Sequence, residues 1–252
     1  MKSSANVDLM FTDLPFLDRL DAARAAGFAG VEVPSPYDVL APELMRALAL
    51  ADLKLVLIAC PPPNYAGTAR GFAAIPGGEA RFRTDFKRTL RYARALGVVH
   101  INIMAGAARG PDAREVLIAN LRWALAEAPG QSLLIEPRCP QDAPDQYLNS
   151  VRKAYDIASD IDSPDLGILF DVHHVHEITQ DVGAAWDQFG DRVSHVQIAQ
   201  SPARKAPDEA GDVDIAAFLS ALRTSGYKGW VGGDYPSDSR RESHLFWVRE
   251  LG

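Results

Sequence analysis

Eight short apolar runs alternate with amphipathic segments along almost the whole of this 252-residue chain. The runs lie near residues 7–10, 30–33, 54–59, 99–104, 132–136, 166–171, 194–199 and 229–234. Each is too short for a helix of ordinary length and is rich in Val, Ile and Leu, as strands are. Between them the period changes. Phe82, Phe86, Leu90 and Ala93 share one helical face before Gly97, and Leu117, Leu121 and Leu125 do so before Pro129-Gly130. Phe16, Leu20 and Ala23 precede Gly27; Ile215, Phe218, Leu219 and Leu222 precede Gly226; a further helix fits 182–189. Strands alternating with helices imply a parallel sheet covered by helices, and strands without polar alternation are buried on both faces. At this length the expected closed form is one α/β domain spanning residues 1–252, a single-domain (β/α)8 TIM barrel.

Composition narrows the function. Net charge is −7 and the sequence pI about 5.4, which argues against nucleic acid as a partner, because phosphate contacts need a basic surface. No run approaches the ~18 apolar residues of a membrane span. The segment MKSSANVDLMF lacks the apolar core of a signal peptide, and the two cysteines, Cys60 and Cys139, do not suggest a disulfide framework. The expectation is a cytoplasmic protein acting on a small molecule, away from nucleic acid and membrane.

Four of the expected strands end in an oxygen-bearing side chain: LLIEP (Glu136), GILFD (Asp171), HVQIA (Gln197) and VGGDY (Asp234). In a closed parallel barrel these four ends converge on one mouth. Carboxylate and carbonyl oxygens suit Mg²⁺ or Mn²⁺, so the expected cofactor is a divalent cation held by Glu136, Asp171, Gln197 and Asp234. Each residue also has a structural reading. Asp171 could cap a following helix, Glu136 could accept loop N–H groups, and Asp234 could shape the turn into Tyr235-Pro236. The run His173-His174-Val175-His176 invites a zinc reading, but its local spacing suits one inward histidine and two in a loop. Cys60 and Cys139 follow strands, where a free cysteine is mostly inert packing. The stretch from Cys60 to about Glu79 is an expected lid over the mouth, and the loop 199–214 carries Arg204 and Lys205.

Taken in order, several motifs resemble the hydroxypyruvate isomerase family, a branch of the xylose isomerase-like TIM barrels. They are Met10-Phe11-Thr12-Asp13-Leu14-Pro15, Ala26-Gly27-Phe28-Ala29-Gly30-Val31-Glu32, Leu134-Ile135-Glu136-Pro137, Phe170-Asp171-Val172-His173-His174, His195-Val196-Gln197-Ile198-Ala199 and Gly226-Tyr227-Lys228-Gly229-Trp230. The resemblance implies that the four strand-end groups bind the cation and that Glu136 and Asp234 also handle the proton. It implies substrate contacts from His174 (the D-x-x-H histidine) and Arg204, with Glu32, Tyr65 and Arg70 on or near other pocket positions. Family barrels often pair, so a homodimer is an expected assembly.

The chain departs from the family pattern around the expected pocket. Asp234 stands where the family has Glu, Gln200 where it has Asp, Arg138-Cys139 where it has an apolar residue and an amide, and His173 where it has Tyr. The expected reaction is conversion of hydroxypyruvate to tartronate semialdehyde through an enediolate. Arg204 is suited to a carboxylate clamp. Asp is about 1.5 Å shorter in reach than Glu, which makes Glu136 the expected proton-transfer group. Two alternatives stand beside this reading: a related 2-oxo-tetronate or ketose isomerase or epimerase, and a ligand-binding homologue without turnover.

Overall fold

The computed structural model describes residues 1–60, 71–240 and 243–251. Eight parallel strands close into a barrel in sequence order, β1 (Lys2–Asn6), β2 (Gly30–Glu32), β3 (Lys54–Cys60), β4 (His100–Ile103), β5 (Ser132–Ile135), β6 (Leu166–Asp171), β7 (Val193–Ile198) and β8 (Trp230–Gly233), with β8 pairing back onto β1. Outside it lie α1 (Asp18–Ala25), α2 (Ala41–Ala51), α3 (Glu79–Leu96), α4 (Asp112–Glu127), α5 (Val151–Ile161), α6 (Val172–Thr179), α7 (Val182–Phe189), α8 (Ile215–Thr224) and α9 (Phe246–Leu251). The chain is a single-domain (β/α)8 barrel, as its periodicity indicates.

Two apolar layers hold it together. The larger lies between sheet and helices, where Phe28, Phe86, Ile101, Phe170, Val196 and Trp247 are buried against helical partners such as Leu44, Leu117 and Leu219. Full burial of such side chains is worth roughly 1.5–3 kcal/mol each. Inside the barrel, Leu57, Leu134 and Leu169 form a separate cluster on one side of the interior. The other side is polar: Ser4, Asn6, Glu32, His195 and Gln197 are all buried.

That polar half explains the displaced first strand. Residues 7–10 form no strand; they turn away from the sheet, and Met10 makes only an isolated bridge to Ser237. The strand is the hydrophilic KSSAN, because Ser4 and Asn6 point into a polar interior where an apolar run is not required. The histidine segment also differs from its expected loop. Asp171 ends β6 and accepts a hydrogen bond from the His174 backbone N–H at 3.2 Å, so strand passes into α6 with no linker. His173, His174 and His176 are therefore all buried on one short helix. Elsewhere the caps follow expectation: Gly97 takes φ 62° and closes α3.

Candidate active site

The strand register brings the expected groups to one end of the barrel. Asp171 of β6 lies opposite Gln197 of β7, Gln197 lies opposite Gly232 of β8, and Asp234 follows two residues later. Glu136 leaves the end of β5. A cavity of about 340 Å³ opens there, lined by Glu136, Gln197, Asp234, His174 and Arg204, together with Asn6, Asn102 and Arg138. A wider depression of about 650 Å³ lies at the opposite end among Lys2, Arg24, Asp52, Lys54 and Trp230, away from the strand-end oxygens.

Each acid at the mouth is held differently. Glu136 is 8% exposed and accepts from Asn102 Nδ2 at 2.8 Å and Arg138 Nη1 at 3.3 Å, both at Oε2. Among the described residues, its Oε1 has only His174 Nε2 nearby, at 3.5 Å. Asp171 uses Oδ1 to cap α6 and Oδ2 to accept from Arg204 Nη1 at 2.7 Å. Asp234 accepts from Asn6 at Oδ1 and from the same Arg204 Nη1 at Oδ2. One guanidinium nitrogen thus bridges two carboxylates, while Arg204 Nη2 donates to His174 Nε2 at 3.0 Å.

These contacts set the charge states. Burial would raise the Asp171 carboxyl, but Arg204, followed by His174, holds it well below the usual carboxylate range. Burial raises Asp234, against the opposing charge of Arg204, to about 6. The two acids share one guanidinium, so they titrate as a pair. Burial also lowers His174 to about 4, which leaves it neutral at pH 7. Burial disfavours the Arg204 charge, but Asp171 and Asp234 overcome that cost and keep it cationic.

Arg204 sits on strained backbone. Ala203 and Arg204 take φ of 69° and 49°, left-handed values that cost about 1–2 kcal/mol for a residue with a Cβ. Gln200 pins the base of this loop, donating to the Val213 carbonyl at 2.7 Å and accepting from its N–H at 3.2 Å. Gln200 therefore shapes the loop and does not line the cavity.

Glu32, expected on or near the pocket, lies next to it, bonded to the cavity residue Gln197. It is fully buried beneath the mouth and does not line the cavity. Its carboxylate accepts from Ser4 Oγ at 2.7 Å and Gln197 Nε2 at 2.6 Å, and contacts His195 Nε2 at 2.8 Å. By taking the amide nitrogen, Glu32 leaves the Gln197 oxygen as the atom on offer to a cation. Tyr65 and Arg70 lie outside the described residues. Asn6, Asp8, Asn102 and Arg138 line the cavity but escaped sequence reasoning as site members. Asn6 and Asn102 would have needed the inward parity of β1 and β4, and Arg138 was visible only as a departure from the family.

The donors at the mouth fit a divalent ion. Ligand atoms of Glu136, Asp171 and His174 lie within 4.8 Å of one another. The Arg204 guanidinium stands among Asp171 and Asp234 as a positive group would. All four strand-end side chains offer oxygen, the donor that hard cations prefer.

The comparisons agree with this architecture. The sequence profile of the xylose isomerase-like TIM barrel family matches residues 20–251. The chain is 33% identical over 254 residues to hydroxypyruvate isomerase of Escherichia coli (strain K12), covering 98% of each chain. It is 34% identical over 253 residues to a 2-oxo-tetronate isomerase of Pectobacterium atrosepticum, covering 98% of this chain and 96% of that one. Among solved structures, one described as AP endonuclease, family 2, from Brucella melitensis superposes with a TM-score of 0.92 at 34% identity, covering 99% and 98% of the two chains. D-psicose 3-epimerase from Clostridium cellulolyticum H10 shares the fold at a TM-score of 0.79 and 15% identity. With its barrel, its strand-end acids and full-length relatives at this identity, the chain belongs to the xylose isomerase-like TIM barrel family, among the homologues of hydroxypyruvate isomerase.

Proposed function

We propose that this protein is a divalent-ion-dependent isomerase of a short carboxylated keto acid, interconverting hydroxypyruvate and tartronate semialdehyde. One observation carries the reading: Glu136 faces a small cavity with one carboxylate oxygen nearly uncommitted, flanked by two guanidinium groups and by the strand-end oxygens of Gln197 and Asp234.

The reaction needs a proton taken from C3 of hydroxypyruvate and delivered to C2. A C–H beside a carbonyl is a weak acid, so the base must be held close and the developing negative charge met by positive groups. Glu136 is the base. Its Oε2 is fixed by Asn102 and Arg138, which leaves Oε1 to accept the C3 proton and return it to C2 of the enediolate. The hydroxyl proton shifts from the C3 oxygen to the C2 oxygen, so the product is an isomer with nothing gained or lost. Asp234 is less suited to this work, because Asn6 and Arg204 already engage both of its oxygens.

Glu136, Asp171, Asp234 and the Gln197 amide oxygen would hold the ion. When bound, it supplies positive charge that stabilises the enediolate oxygens. Arg204 now neutralises Asp171 and Asp234; with an ion in that role its guanidinium would be available to a substrate carboxylate, with Arg138 as a second cationic anchor. His174, neutral at pH 7, is a hydrogen-bond partner for a substrate oxygen.

A second reading, isomerisation of 2-oxo-tetronate, is favoured by relatives so named at equal identity. Nucleic acid is a poor fit for a chain of net charge −7 whose acids face a narrow cavity. The proposal extends to a cytoplasmic protein that pairs as a homodimer; among the described residues no helix is long and apolar enough to cross a membrane, and both cysteines are free.

Rates with hydroxypyruvate, 2-oxo-tetronate and a neutral ketose test the proposal, each measured after chelation and after Mg²⁺ or Mn²⁺ return. Turnover of a carboxylated substrate that chelation abolishes and the ion restores is expected. Turnover indifferent to chelation would remove the ion from the reading. Ligand binding without turnover of any of the three would reduce the site to a binding pocket.

A further inference from the structure

Beside the mouth lies a second group of donors that shares His174 with the cavity and whose other members the proposed reaction does not use; its Asp142 Oδ2 lies 3.6 Å from Arg204 Nη2. Cys139 and Asp142 sit in the loop after β5, where the Ala143 N–H donates to the Cys139 carbonyl at 3.0 Å and folds the loop back on itself. His173 and His174 form the first turn of α6. Cys139 Sγ lies 3.2 Å from His174 Nδ1, and Asp142 Oδ2 lies 3.2 Å from His173 Nε2 and 3.7 Å from His174 Nδ1. One ligand atom from each of the four residues falls within 4.8 Å of every other. Cys139, His173 and His174 are buried, while the Asp142 side chain is 37% exposed and marks the way in. The other ring nitrogen of His173 is buried without a hydrogen-bond partner among the described residues.

We propose that Cys139, Asp142, His173 and His174 form a second cation site, selective for a zinc-class transition metal. The donor types decide the class. One sulfur, two imidazole nitrogens and one carboxylate oxygen make the mixed tetrahedral set that Zn²⁺ and Co²⁺ accept. Mg²⁺ and Ca²⁺ favour all-oxygen sites and gain little from thiolate. The mouth is the opposite, offering oxygen from four strand ends. The inference stands on these four residues and does not depend on the isomerase reading.

His174 joins the two sites. Its Nε2 lies 3.0 Å from Arg204 Nη2 at the mouth, while its Nδ1 lies 3.2 Å from Cys139 Sγ and accepts from the Cys139 N–H at 3.5 Å. A metal held at Nδ1 would require the neutral ring to carry its proton on Nε2, and the Cys139 thiol would release one proton to solvent as the metal–sulfur bond forms. Nε2 then becomes a donor. It loses the contact with Arg204 and can donate to Glu136 Oε1, 3.5 Å away. Filling the second site thus alters the hydrogen bonding of the proposed base.

Titration of the full-length metal-free protein with Co²⁺ tests the site through its sulfur-to-cobalt charge-transfer absorption. The expected result is a band that saturates at one equivalent, persists in saturating Mg²⁺ and in D234N, and vanishes in C139S and H173Q. A second measurement uses only the unaltered chain: Zn²⁺ should slow alkylation of Cys139, followed by peptide mass, about tenfold or more. Cys60, as buried as Cys139 but outside the four-donor group, is the internal reference for opening of the fold. Absence of the band together with unprotected Cys139 would overturn the proposal, as would a band that survives C139S. Loss of the band on adding Mg²⁺ would overturn the separateness of the two sites.

Discussion

Glu32 and Glu136 are both buried glutamates at the ends of barrel strands, yet their surroundings give them opposite tasks. Glu32 is sealed in the polar half of the interior, with Ser4, His195 and Gln197 arranged around both of its oxygens. Among the described residues no Arg or Lys is bonded to it, and it does not line the cavity. Glu136 lies one layer higher, keeps 8% of its surface, and is approached by Arg138 and His174. The contrast teaches that a strand-end acid becomes chemically available only where hydrogen bonding leaves one oxygen free and a cavity leaves room for a substrate. Depth within the barrel, more than residue type, separates scaffold from reagent.

The largest effect should come from disarming Glu136. E136Q keeps the shape but removes the base, and kcat should fall by ~10²–10⁴-fold with the melting temperature close to that of the parent. Unchanged turnover in E136Q, with turnover lost in D234N, would transfer the base role to Asp234. Glu32 should show the reverse pattern. E32A strands three buried polar partners and should cost about 3 kcal/mol or more in urea unfolding, since each orphaned group costs roughly 1–3 kcal/mol. Gly232 sharpens this, because a Cβ there would come within 1.8 Å of Glu32 Oε1. G232A should therefore destabilise the same layer. A stable E32A would show that the interior does not need its acid.

The lower layer should also reveal itself through pH. Burial, with the neighbouring His195 charge adding to it, lowers His100 to about 3 from 6.5. Its folded-state pKa is depressed, so the contribution to stability is present above pH 6.5 and is lost as pH falls toward 3. H100Q should flatten the fall in unfolding free energy between pH 6 and pH 4 by up to about 1.4 kcal/mol per pH unit. An unaltered slope would mean that His100 does not titrate with unfolding in this range.

The smallest effect belongs to the cavity wall. R138M removes a donor to Glu136 and a proposed anchor, and should raise KM for a carboxylated substrate about tenfold while changing the rate on a neutral ketose little. Equal losses on both substrates would make Arg138 a support for Glu136 alone.

Much of this was legible in the chain. The apolar run 166–171 and the periodic segment 182–189 coincide with β6 and α7, because both are buried by simple patterns that need no distant partner. The strand-end oxygens of β5 to β8 were legible for the same reason. What escaped depends on closure. β1 is polar since its inward residues Ser4 and Asn6 bond to Glu32 and Asp234 from other parts of the barrel, so no local apolar signal marks it. The length of α6 was hidden because Asp171 serves at once as the last strand residue and the helix cap. The Arg204 bridge to Asp171 and Asp234 rests on a long loop with two left-handed residues, neither of them glycine.

Crystals of the protein soaked with Mn²⁺ and measured for anomalous scattering test the central claim directly. The account expects one strong peak within coordination distance of Glu136, Asp171, the Gln197 amide oxygen and Asp234, with the Arg204 guanidinium withdrawn from both aspartates. A mouth without manganese at saturating concentration, and Arg204 still bridging Asp171 and Asp234, would contradict it.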